Sequence, residues 1–135
     1  MNPVIQEEIS GCGIAACAAL TSITYVQAKE AANALGIYAE DTALWSDTEY
    51  VRKLLRALGI TVAPTETPFD TWESLPDKAL LAIKWRMEQG RLFWHWVVFV
   101  RDEREAVVLD SKKALKTNTR RDFGRIKPKW FIRLG

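Results

Sequence analysis

The chain has 135 residues, a net charge of +2, two cysteines and a single histidine. That length suits one domain able to bury about two thirds of its unfolded surface, so folding needs no disulfides. One histidine leaves a zinc site short of ligands, and no apolar run approaches the roughly 20 residues of a membrane-spanning helix. Residues 1–20 carry no positive region followed by an apolar stretch, so no secretory signal is read there and a cytoplasmic protein is expected.

In chain order, Gln6 to Leu20 comes first, with Cys12 between Gly11 and Gly13 at the start of an apolar run. Ile14 to Leu20 is apolar all round, which predicts a helix buried on every side; the glycines allow a tight turn and close backbone approach. A thiol at such a helix start meets free N–H groups and the positive end of the dipole, which favours thiolate near neutral pH. Cys12 is therefore the candidate nucleophile, with a small buried core residue as the plainer reading. Cys17 lies five residues on, where the two side chains diverge; free thiols and a reducing compartment follow.

Thr24 with Gln27 makes a capping box ahead of the stripe Ala28, Ala31, Ala32 and Leu35, and Gly36 ends that helix. Ser46 with Glu49 repeats the signature ahead of Val51, Leu54, Leu55 and Leu58, with Arg52, Lys53 and Arg56 off the stripe and Gly59 at the end. Thr61 to Pro76 holds three prolines and reads as a connection, with a short strand at Ile60 to Ala63. Strands are predicted at Ala79–Arg86, Leu92–Arg101, Ala106–Leu109 and Trp130–Leu134, with turns at Gly90 and at Asp102 to Glu105. Helices first and strands second predict an α+β fold, the N-terminal helices packed on a C-terminal antiparallel sheet in a single domain over 1–135.

Period-two alternation puts Trp94 and Trp96 on the core face and His95 on the other. If the Asp102–Glu105 turn is symmetric, Arg101 pairs with Ala106 and Val97 faces Asp110. His95 and Asp110 are then diagonal neighbours within side-chain reach, whereas Asp102 lies roughly 23 Å along the strand. Cys12, His95 and Asp110 form a constellation for acyl transfer: thiol as nucleophile, imidazole as base and acid, carboxylate as orienting group. The Cys12 N–H and the Gln6 side-chain amide are the candidate oxyanion donors.

Gln6, five residues, Cys12-Gly13, a small-residue helix, then His95-Trp96-Val97-Val98 and Val107-Val108-Leu109-Asp110 resembles the papain-like peptidases that process double-glycine bacteriocin leaders. The resemblance spans Gln6 to about Asp110 and implies a papain-like cysteine endopeptidase cutting after Gly-Gly, without metal or organic cofactor. It implies Gln6 as oxyanion-hole residue, Cys12 as nucleophile, His95 as general base and acid, and Asp110 as orienting residue. Three features depart from that pattern: Gly11 stands where members carry Asp, Ser111 where they carry Pro, and there is no Walker-type phosphate loop or membrane span. A stand-alone peptidase or isopeptidase acting on a peptide or protein is therefore expected.

Two other functions use the same residues: deamidation or another amide-directed acyl transfer, and a catalytically silent module that binds an extended peptide. A third rests on Lys112 to Lys129, which holds eight Lys/Arg against one acid while the rest of the chain has 11 basic and 16 acidic residues. An anionic partner is the functional reading of that segment and a solvated loop the plain one; without aromatic interleaving, nucleic acid is not the expected partner.

Overall fold

A computed structural model describes all residues 1–135. Three α-helices, α1 (Cys12–Thr21), α2 (Tyr25–Ala34) and α3 (Glu49–Ala57), precede the whole sheet, and a 3-10 helix spans Thr42–Ser46. The strands are β1 (Thr67–Pro68), β2 (Lys78–Glu88), β3 (Arg91–Arg101), β4 (Ala106–Leu109), β5 (Thr119–Arg120) and β6 (Trp130–Arg133). They form one antiparallel sheet in the order β1-β6-β2-β3-β4-β5. The fold is thus α+β, and no helix is long and apolar enough to cross a membrane.

Period-two alternation divides the sheet between two cores. Leu80, Ala82, Trp94, Trp96, Val98 and Ile132 pack beneath the helices, whereas Leu81, Val97, Phe99, Val108 and Phe131 pack under Leu75 and Ile126. Helix α1 is buried at every residue from Cys12 to Leu20, because it lies between the sheet and the other two helices. Its uniform apolarity has that cause: no face is left for water. A Cβ at Gly11 would overlap the Tyr25 hydroxyl, and one at Gly13 the Tyr50 ring, so both glycines serve close packing at the mouth of α1. Any side chain at position 11, an Asp included, would have to displace the Tyr25 hydroxyl.

The Thr24 box forms as the spacing predicts: Gln27 N–H donates to Thr24 Oγ1 at 3.1 Å and Thr24 N–H to Gln27 Oε1 at 2.9 Å. The Ser46 box does not. Helix α3 starts three residues later, Asp47 Oδ1 accepts from the Glu49 N–H at 2.8 Å, and the Ser46 hydroxyl donates to the Leu92 carbonyl. The strand expected at Ile60–Ala63 shrinks to a single bridge between Val62 and Leu134.

Arg52 also departs from expectation. It is only 1% exposed, and its guanidinium donates to Thr48 Oγ1, Glu49 Oε1, Glu66 Oε1 and the Ala63 carbonyl, tying α3 to the connection that follows it. A planar five-donor fork can be buried this way only because every side of it finds an acceptor. Arg52→Ala is expected to lower the unfolding free energy in urea by about 2–3 kcal/mol, less than the loss from a fully buried pair because both acids reach solvent.

Candidate active site

The β3–β4 hairpin supplies the first two groups. Its register pairs Arg101 with Ala106 and Val98 with Leu109, so Asp110 falls one residue past the end of β4 and diagonal to His95. Their side chains meet: His95 Nε2 lies 2.7 Å from Asp110 Oδ1. A carboxylate can only accept, so the proton on this ring edge belongs to Nε2, and Nδ1 is left for the thiol. Because β4 stops opposite Val98, the Trp96 N–H has no strand partner on that side; it donates to Cys12 Sγ at 3.5 Å. The sulfur of α1 thus enters the gap left by the short strand, beside His95.

Burial pulls the His95 pKa down, but the bonds to Asp110 and to the Cys12 sulfur outweigh it and push it up to about 9. Burial likewise opposes the ionised form of Asp110, and His95, the Lys112 N–H and Arg120 overcome it, holding this acid at about 2. The imidazolium form, flanked by carboxylate and sulfur, is therefore the favoured one at neutral pH. Burial first, and the nearby Cys12 second, push the Cys17 thiol well up, so it stays a protonated core residue.

Asp110 is fully buried, and its support comes from residues with no sequence signal for that role. Arg120 Nη1 donates to Oδ2 at 3.1 Å, the Lys112 N–H to Oδ1 at 3.1 Å, and Asn118 Nδ2 to the Asp110 carbonyl at 2.7 Å. Arg120 and Asn118 lie in the basic segment read above as a solvated loop or an anion-binding surface. Most of the segment's cations are exposed, as a solvated loop requires, but it also contributes β5, and two of its arginines are paired: Arg120 with Asp110 and Asp122, and Arg121 with Glu105.

Gln6 reaches the same place from the opposite end of the chain. Its N–H donates to the Ser111 carbonyl at 3.0 Å, and the Ser111 hydroxyl donates to Gln6 Oε1 at 2.6 Å, so the residue standing in place of proline anchors the amide. Gln6 Nε2 spends both hydrogens, on the Glu8 and Ile9 carbonyls at 2.9 Å each. Swapping the amide would face its oxygen to two carbonyls, so the network decides the orientation. The Cys12 N–H opens its helix and has no carbonyl a turn earlier, so it is free to donate, whereas the Gln6 amide must release a carbonyl to do so.

Gln6, Cys12 and His95 line one cleft of about 470 Å³. The β2–β3 arm forms another wall, where Phe93 meets Trp45 edge-on at 5.5 Å. No three His, Cys, Asp or Glu side chains are grouped to hold a metal ion. No family model matches this chain, and no curated protein does.

Proposed function

We propose that the chain is a cysteine-dependent amide hydrolase, a papain-like peptidase or isopeptidase using Cys12, His95 and Asp110. The observation that carries this is the single histidine held between a buried carboxylate at 2.7 Å and the sulfur that opens α1. The thiol-bearing helix packs against the strand that carries the base, which supports the papain-like arrangement over an unrelated α+β fold. Such a site suits a reducing compartment such as the cytoplasm, where Cys12 stays unoxidised.

In this reading the Cys12 thiolate adds to the amide carbonyl carbon, and the Cys12 N–H receives the developing oxyanion. Gln6 joins once it lets go of the Glu8 or Ile9 carbonyl. The C–N bond breaks as His95 gives its Nδ1 proton to the amine, leaving a thioester. Water then loses a proton to His95 and adds to the thioester; the acid leaves, and the thiolate–imidazolium pair returns. Asp110 keeps Nε2 protonated and the ring oriented throughout.

The test is the rate of Cys12 alkylation by iodoacetamide against pH, read by peptide mass analysis for wild type and His95→Ala. Cys12 is expected to be alkylated at neutral pH faster than a free thiol in a model peptide, and His95→Ala is expected to remove that excess reactivity. Ordinary thiol behaviour in both proteins would overturn the reading.

A further inference from the structure

Strand β2 carries a bulge opposite the base. Ile83 pairs with His95 and Arg86 with Phe93, so Lys84 and Trp85 together face Trp94. Lys84 takes the left-handed conformation there, φ 54°, which is strained for a residue with a Cβ. In a regular strand, position 84 would follow Ile83 onto the helix face. The bulge re-aims it, and Lys84 lines the cleft with Cys12 and His95. Strain held by good pairing on both sides is a recurrent mark of a functional position.

Lys112, two residues past Asp110, lines the same cleft. Neither lysine has an acid within ion-pair distance, whereas the other cations of the cleft are engaged: Arg86 pairs with Glu88 at 2.8 Å, and Lys113 Nζ reaches the Glu7 carbonyl at 3.5 Å. Glu8 is taken by Tyr25 and Lys29, and Glu7 lies on the N-terminal segment beside Lys113. Burial, and next the Lys112 ammonium, lower the Lys84 pKa; the Asp110 carboxylate acts the other way but is already engaged by His95 and Arg120.

We propose that Lys84 and Lys112 form an anion subsite that receives a carboxylate on the amine side of the scissile amide. The inference rests on the hydrolase reading above. The side follows from placement: Lys84 adjoins the strand partner of His95, and Lys112 adjoins Asp110, so both flank the imidazole that protonates the leaving amine. The carboxylate is an acidic side chain or a chain terminus; its recognition is the same.

Two alkylating agents of equal reach test this, iodoacetate with a carboxylate and iodoacetamide without one. The ratio of their rates at Cys12, at low ionic strength, cancels any change in thiol reactivity. That ratio is expected to fall about threefold in Lys84→Asn, whose new side chain tolerates the left-handed backbone, and about tenfold with Lys112→Gln added. Arg104→Gln, in the β3–β4 turn at the far end of the hairpin, controls for net charge and should leave the ratio unchanged. A double variant with the wild-type ratio overturns the subsite while sparing the hydrolase. Cys12 inert to both agents overturns the hydrolase, and the subsite with it. A proteome-derived peptide library then separates the sources: cuts before Asp or Glu identify a side chain, cuts releasing only the last residue identify a terminus, and cuts before internal neutral residues overturn the proposal.

Discussion

Cys12→Ala is expected to abolish amide cleavage, by at least about 10⁴-fold, without unfolding the protein. The substitution removes the one atom that forms the thioester, while the Cys12 N–H and the rest of α1 remain. Cys17→Ala is the internal control. Cys17 is fully buried five residues along the same helix, so losing its sulfur should cost about 1–2 kcal/mol of stability and little turnover. Both are checked by product mass analysis on a panel of peptide, isopeptide and glutamine substrates, together with urea unfolding. The same panel separates hydrolysis from deamidation, since the triad serves either. Full turnover in Cys12→Ala would remove the assignment.

Asp110→Asn is expected to lower turnover by about 10²–10⁴-fold at pH 7. The asparagine oxygen can still accept from His95 Nε2, but the charge that offsets burial is gone, so the imidazole becomes neutral at that pH and the pair with Cys12 is lost. Asp110→Ala should also destabilise the fold by about 3 kcal/mol near pH 5.5, because the part-buried His95 loses its carboxylate partner and Arg120 one of its two. His95 rises from an ordinary 6.5 to about 9 on folding, so its contribution is complete below pH 6.5 and fades as pH rises through 9. Asp110 falls from 3.8 to about 2, so its contribution is complete above pH 3.8 and is lost as pH falls through 2. The gap in urea midpoint between wild type and Asp110→Ala is therefore widest between about pH 4 and 6.5 and narrows towards pH 9. A gap that grew across that alkaline range would contradict the pairing.

Lys112 donates its backbone N–H to Asp110 and lends its side chain to the cleft, so one short segment both supports the acid and lines the entry to the base. Ser111, between them, holds Gln6. Three consecutive residues after β4 thus join Asp110, the anchor of Gln6 and the proposed anion subsite, which makes this turn the most informative place for paired substitutions.

Local chemistry was readable wherever one residue's neighbours in sequence are also its neighbours in space. The Thr24 cap needs only Gln27 three residues on, the burial of α1 needs only its own unbroken apolarity, and the His95–Asp110 pairing needs only a symmetric turn and the period of two. Those features, with the order of helices before strands, were determined by the sequence itself, because hydrogen bonds and alternation within a single helix or hairpin leave little choice. Ser46 shows the limit: its capping box was outcompeted by the Leu92 carbonyl, a partner 46 residues away. Tertiary structure alone decided that Arg52 is buried, that Arg120, Asn118 and Ser111 support the site, that both Gln6 hydrogens are spent, and that a bulge turns Lys84 towards the cleft. Each of these depends on a partner brought from another element, where packing and charge compensation across the chain override local propensity.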